Sequence, residues 1–189
     1  MKKDETKIVL DTNIFVNPDS RYFFGKTPKE AFNNFLELIS KKNNIICYMP
    51  PSIYEELAKF IGHSNISDNA MFINKKPPSV YEISIPSLIF YELIEEVRLR
   101  INKGLRVAEK FTRRALRSDN EEEIIKSLRE EYRIALREGI IDSIQDCDLL
   151  LLSKELKARL ATSDKGLIKW SHKLGINCIT AQELRTFVE

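Results

Sequence analysis

Short apolar strands alternate with amphipathic helices at both ends of this chain, and few architectures accommodate that pattern. Residues 7–10 (KIVL) and 44–48 (NIICY) read as buried strands. Between them an amphipathic helix over 29–41 carries Ala31, Phe32, Phe35, Leu36 and Ile39 at helical spacing. Pro50 and Pro51 stop the second strand and stand at the first turn of a helix over SIYEELAKFIG, where proline loses no needed hydrogen bond. Residues 63–78 are polar and read as loop, and VYEISIP reads as an edge strand. The chain then alternates again towards its end: helix at 142–157, strand at 159–162, helix at 164–173, strand at 177–179 and a last helix from Ala181. Strands this short, each followed by a helix, imply an α/β fold whose parallel sheet is covered on both faces.

The interval 87–138 breaks the alternation and is helical throughout. Ile94, Val97, Ile101, Leu105, Ala108 and Thr112 recur at three- and four-residue steps. A second helix carries Ile124 or Ile125, Leu128, Tyr132, and Ala135 or Leu136. Ser118, Asp119 and Asn120 suit its N-cap, and Glu121, Glu122 and Glu123 suit its positive end. The reading is a long antiparallel helical hairpin over 87–138, inserted into an α/β domain made of 1–86 and 139–189. Leu88, Ile89, Phe90, Tyr91 and Leu93 at its base serve either the α/β body or a second protomer.

The hairpin is also where positive charge gathers. Arg98, Arg100, Lys103, Arg106, Lys110, Arg113, Arg114 and Arg117 face a single acid, Glu109, in their stretch. Lys126, Arg129, Arg133 and Arg137 make one stripe on the second helix. Such a stripe is an electrostatic footprint for phosphates. The plainer reading is a solvated face paired to Glu130, Glu131 and Glu138. No aromatic platform lies alongside, which favours structured double-helical RNA over stacked single strands.

Four aspartates stand at matched places in the α/β portions. Asp11 closes the first strand, Asp142 and Asp146 open a helix on one face, and Asp164 follows the strand at 159–162. Ligands of open parallel sheets sit outside the carboxyl ends of the strands. Each acid alone is an ordinary N-cap candidate. Gathered together they repel unless cations neutralise them, and hard oxygens suit Mg²⁺ or Mn²⁺. Such ions activate water for phosphodiester cleavage. Asp148 points elsewhere on a regular helix, while Glu56 is a plausible further acid. Thr12, Asn13 and Ser163 can orient carboxylates or a bound water.

At 189 residues and 43% hydrophobic content the chain holds enough for one domain with an insertion. No run of about 18 apolar residues marks a membrane span, and no signal-peptide core follows MKKDETK, so a cytoplasmic protein without membrane contact is expected. Cys47, Cys147 and Cys178 have no metal or disulfide spacing and read as buried thiols.

VLDTNIF, the acids at 142–148 and SDKG together resemble a PIN-domain nuclease. YMPPSIYEEL, FYELIEEVRLRINKGLRVAEK, LREEYRIALREGIIDSIQDCDLLLL and ATSDKGLIKW are similar to the small protein-only ribonucleases P, the homologues of Aquifex RNase P, over nearly the whole chain from residue 7. The resemblance implies a PIN-like domain with an inserted hairpin. It implies an endoribonuclease that removes the 5′ leader of precursor tRNA without an RNA subunit, leaving a 5′-phosphate. It further implies Mg²⁺ as cofactor, with Mn²⁺ able to substitute, and a homo-oligomer, a dodecamer being the form implied. The family's metal-site aspartates fall on Asp11, Asp142, Asp146, Asp148 and Asp164, and its tRNA-contacting arginines on Arg129 and Arg133. Asp148 enters the set only through this resemblance. Two other readings stand beside it: a toxin-type PIN ribonuclease that cuts mature tRNA or rRNA, and a non-catalytic RNA-binding oligomer scaffold.

Overall fold

Ile8, Val9 and Leu10 are wholly enclosed, so β1 (Thr6–Leu10) lies inside a sheet rather than at its margin. A strand that is apolar on both faces needs covering layers on both sides. β1 pairs in parallel with β2 (Ile45–Met49) on one side. Two further strands are β3 (Ile73–Lys75), next to β2, and β4 (Arg159–Ala161), on the other side of β1. β5 (Cys178–Ile179) then extends the sheet beyond β4. The order is β3-β2-β1-β4-β5, every pair parallel. This computed structural model describes residues 5–62, 68–116, 120–137 and 143–189. It divides into two compact units, Met1–Ser84 with Ser143–Glu189, and Ile85–Asp142.

Helices supply the layers of the first unit. α1 (Asn13–Val16), α2 (Pro18–Arg21) and α3 (Pro28–Ile39) separate β1 from β2. Thr27 caps α3 by accepting from the Glu30 N–H at 3.2 Å, and Pro28 opens it. α4 (Pro51–Ile61) starts at its proline, as the double proline predicts. Phe15, Phe24, Phe32 and Phe35 interlock under α1 and α3, with the Phe15 and Phe32 ring centroids 5.1 Å apart. This cluster anchors the short α1, and with it the turn that leaves β1.

The edge strand lies at Ile73–Lys75, inside the stretch read as loop, and VYEISIP forms no strand. The reason lies in partners distant in sequence. Ile73 is the buried apolar residue that pairs in register with Cys47. The Ser79 N–H and hydroxyl both donate to Glu155, holding a turn there, while Val80 and Tyr81 stay exposed.

The second unit consists of α5 (Leu88–Ala115) and α6 (Glu121–Arg137), packed on each other. Its contact face is not the expected apolar seam. Ile94, Val97, Ile101 and Leu105 are exposed, and the buried positions of α5 are Glu96, Arg100, Gly104 and Phe111. Gly104 explains the register. A Cβ there would stand 2.8 Å from Tyr132 Cε2, so the missing side chain admits the tyrosine ring. Arg100 and Glu96 enter the interior as an ion pair at 2.5 Å.

The remaining helices belong to the first unit. α7 (Ile144–Leu156) packs on β1 and β4, α8 (Lys165–Leu174) joins β4 to β5, and α9 (Ala181–Val188) follows β5 under a Thr180–Glu183 capping box. Ser143 caps α7 in extended conformation, so the helix starts after position 142. The shared helix face expected for Asp142 and Asp146 involves Asp142, which lies outside the described residues. Phe15→Ala should lower stability by about 3–5 kcal/mol, read as a lower denaturant midpoint. An unchanged midpoint would mean that the phenylalanine cluster does not hold the core.

Candidate active site

The direction of the sheet reverses at β1. The chain adds β2 and β3 on one side, then returns to lay β4 and β5 on the other. Such a switch point leaves a crevice at the carboxyl ends of the two diverging strands. Leu10 is in register with Ala161, so the next residues, Asp11 and Thr162, emerge side by side into that crevice. The Asp11 N–H still donates to the Ala161 carbonyl at 3.0 Å.

Asp11 is buried, 3% exposed. Its carboxylate accepts from the Thr162 hydroxyl at 2.5 Å, from the Asn13 N–H at 3.2 Å and from the Asn13 side-chain amide at 3.3 Å. Burial pushes its pKa up to about 6, the hydrogen bonds oppose that rise, and the nearby Asp146 carboxylate adds to it. Asp146 reaches this point because Ser143 accepts from its N–H at 3.0 Å and α7 lies against β1. The half-buried Cys147 thiol is also held above its usual range, by burial first and then by Asp146 and Asp148.

The other acids are held by partners of their own. Asp148 accepts from the Ser52 hydroxyl at 3.2 Å, which turns it towards the first turn of α4. Glu56, one turn further along α4, accepts from the Thr12 hydroxyl at 3.3 Å. Asp164 caps α8, accepting from the Leu167 N–H at 2.8 Å. The ordinary N-cap role thus holds for Asp164, and its N–H donates to the Thr162 hydroxyl at 3.0 Å. The Ser163 hydroxyl is buried with no hydrogen-bond partner among the described residues. Thr162 is the residue that sequence reasoning passed over. It reads as the end of a strand, and only the pairing of β1 with β4 sets it against Asp11.

Do these residues suit a divalent cation? Among the described residues no group of three or more acids, histidines or cysteines converges as a ready-made ligand cage. Mg²⁺, however, takes one or two carboxylates and completes its shell with waters and phosphate oxygens. A desolvated Asp11 beside Asp146 is a hard-oxygen donor set of that kind. The donors fit.

In the second unit, Lys126, Arg129 and Arg133 line one shallow concavity of α6 together with Glu122, Ile125 and Glu130. All three cations are exposed, without a carboxylate partner among the described residues. Arg113 and Arg114 are exposed near the end of α5, with Arg114 beside the Phe111 ring, and Arg117 lies outside the described residues. Part of the positive charge is neutralised: Lys110 pairs with Glu131 at 2.7 Å, and Arg98 with Glu95 at 3.1 Å.

Residues 7–189 match the family described as PINc domain ribonuclease. The chain is 46% identical over 187 residues to a protein of Thermodesulfovibrio yellowstonii named RNA-free ribonuclease P, covering 98% of this chain and 95% of that one. A protein of the same name from Pyrococcus horikoshii is 47% identical over 178 residues, covering 93% and 87%. One from Alkalilimnicola ehrlichii is 38% identical over 185 residues, covering 97% and 96%.

The raised pKa of Asp11 makes a stability prediction with a definite sign. The folded protein holds the proton up to about pH 6, whereas the unfolded chain releases it near 3.8. Metal-free protein should therefore lose stability as pH rises from about 4 to 6 and level off above that. Asp11→Asn should flatten this slope and raise the unfolding free energy of chelator-treated protein at neutral pH by on the order of 1–3 kcal/mol, read as a higher melting temperature. Equal slopes in the two proteins would show that Asp11 carries no such strain.

Proposed function

The chain belongs to the PIN-domain RNA-free ribonucleases P, and we propose on that premise that its crevice between β1 and β4 cuts the 5′ leader from precursor tRNA. It is an endoribonuclease and works without an RNA subunit. The observation that carries the assignment of the site is the desolvated Asp11 carboxyl at the switch point of the sheet. Near-full-length identity to proteins named RNA-free ribonuclease P favours this activity over a toxin-type ribonuclease or a non-catalytic scaffold.

PIN nucleases are generally dependent on divalent metal, and Mg²⁺, replaceable by Mn²⁺, is the cofactor assigned here. Held by the acids, it would supply Lewis acidity towards the scissile phosphate and a water of lowered pKa, for a cut that leaves a 5′-phosphate on the tRNA. Asp11 and Asp146 are the central donors in this reading, with Asp142, Asp148 and Asp164 completing the set. Ser52 orients Asp148, and the α8 N–H of Leu167 fixes one oxygen of Asp164. Burial of Asp11 keeps bulk water from competing for its charge.

Selection of the RNA is assigned to the second unit. Arg129 and Arg133, with Lys126, Arg113 and Arg114, bind tRNA phosphates through charge that has no carboxylate partner among the described residues of α6 and the end of α5, and Arg117 joins them in this reading. The same unit exposes a row of apolar residues on α5: Leu88 62%, Tyr91 70%, Ile94 59% and Ile101 62%. A soluble chain does not leave such a row to water, so a homo-oligomer, a dodecamer in the proposed form, covers it. Among the described residues no helix is long and apolar enough to cross a membrane. The reaction is assigned to the cytoplasm.

Purified protein with Mg²⁺ should release a leader of the expected length from precursor tRNA, and EDTA should stop it. Asp146→Ala should lower the single-turnover rate at least about 100-fold, consistent with loss of a metal ligand. No cleavage by the wild type would defeat the reading. Arg129→Ala with Arg133→Ala should weaken tRNA binding and reduce the slope of log affinity against log salt by roughly 1–2. An unchanged slope removes them from the phosphate contacts. Light scattering should give a mass many times that of one chain, and Tyr91→Asp with Ile94→Asp should reduce it; a monomeric wild type rules out the oligomer.

A further inference from the structure

A carboxylate offers about four lone-pair positions, two on each oxygen. At Asp11 three of them are taken by described neighbours. Oδ2 accepts the Thr162 hydroxyl and the Asn13 side-chain amide, and Oδ1 accepts the Asn13 N–H. The Thr162 hydroxyl is held in this role. The Asp164 N–H donates to its oxygen, so its single proton is turned to Asp11. Thr162 is 1% exposed, which leaves no competing water. One lone pair, on Oδ1, remains.

We propose that Thr162 and Asn13 set the metal preference of this site, by filling Oδ2 so that Asp11 can bind a cation through Oδ1 alone. The inference rests on the metal-dependent reading given above. Mg²⁺ and Mn²⁺ are satisfied by single oxygens in a compact shell, whereas Ca²⁺ takes 6–8 oxygens and often uses both atoms of one carboxylate. An aspartate that cannot chelate therefore costs Ca²⁺ a ligand and costs Mg²⁺ nothing. The selectivity comes from denying a geometry to the wrong ion, since the negative charge of the acids attracts both. Thr162 does not touch the cation in this scheme. It is a positioning residue that acts through Asp11.

The test needs no RNA and no turnover. Chelator-treated full-length protein is titrated with Mn²⁺ by electron paramagnetic resonance, and Ca²⁺ is then added as competitor. Wild type should bind Mn²⁺ and resist displacement. Thr162→Val should weaken Mn²⁺ binding by about 10-fold, a usual cost of removing a group that orients a ligand, and Ca²⁺ binding by clearly less. The affinity ratio therefore moves towards Ca²⁺. Thr162→Ser keeps the hydroxyl and should stay near wild type. Asn13→Ala frees the other Oδ2 position from a half-exposed site, so it reports on the idea even where the valine variant does not fold, and it should move the ratio the same way. An unchanged ratio in Asn13→Ala, or equal loss of both ions in Thr162→Val, overturns the inference while the nuclease reading stands. Failure of the wild type to bind Mn²⁺ removes the metal reading and this inference with it.

Discussion

Asp11 holds a buried carboxylate where two strands part, and much of the first unit is arranged around that constraint. Without water the charge has to be met by fixed donors, and it draws on both neighbouring segments, Asn13 from the turn after β1 and Thr162 from the end of β4. The Thr162 bond ties residues 151 positions apart across the centre of the sheet. These bonds depend on the parallel register of Leu10 with Ala161, and on the phenylalanine cluster that anchors α1 directly after the turn. Even so they do not fully offset desolvation, because the pKa stays raised to about 6 with Asp146 close by. The residual strain is what a bound cation relieves in the proposed site.

Charge is handled differently in the second unit. There the interior contains an ion pair, Arg100 with Glu96, and a glycine that admits Tyr132, in place of a continuous apolar seam. Moving the packing face to these residues leaves Ile94, Val97, Ile101 and Leu105 outside. A helix of this length has enough surface for three tasks. One face packs on its partner helix, another carries apolar residues, and cations near its end and on α6 have no carboxylate partner among the described residues. The proposed division of labour, cutting by one unit and RNA selection by the other, follows from that separation of acids and bases.

Much of this was legible along the chain. Alternation of short apolar strands with amphipathic helices implied the parallel sheet, and Pro51, Asp164 and Ala181 mark helix starts close to where they occur. Local rules suffice for such features, because caps, prolines and periodicity act within a few residues. The same rules placed Asp11 at a strand end and Asp164 at a helix cap. They misjudged the edge strand, because Ile73 is held by pairing with Cys47 and the turn near Ser79 by Glu155, partners distant in sequence. They misjudged the hairpin seam because periodicity shows which residues are apolar but not which face a partner helix chooses. That choice was settled by the fit of Tyr132 over Gly104.

By itself, then, the sequence determined most of the element types, the carboxyl-end position of Asp11, the acidity of the 142–148 segment and the basic character of α5 and α6. Only the tertiary structure decided that Thr162 faces Asp11, that Asp146 perturbs it, and that Ser52 and Thr12 take hold of Asp148 and Glu56. The physical reason is the strand order. Placing β4 against β1 is a long-range pairing chosen by packing of the whole sheet, and no local pattern encodes which polar side chains it brings together.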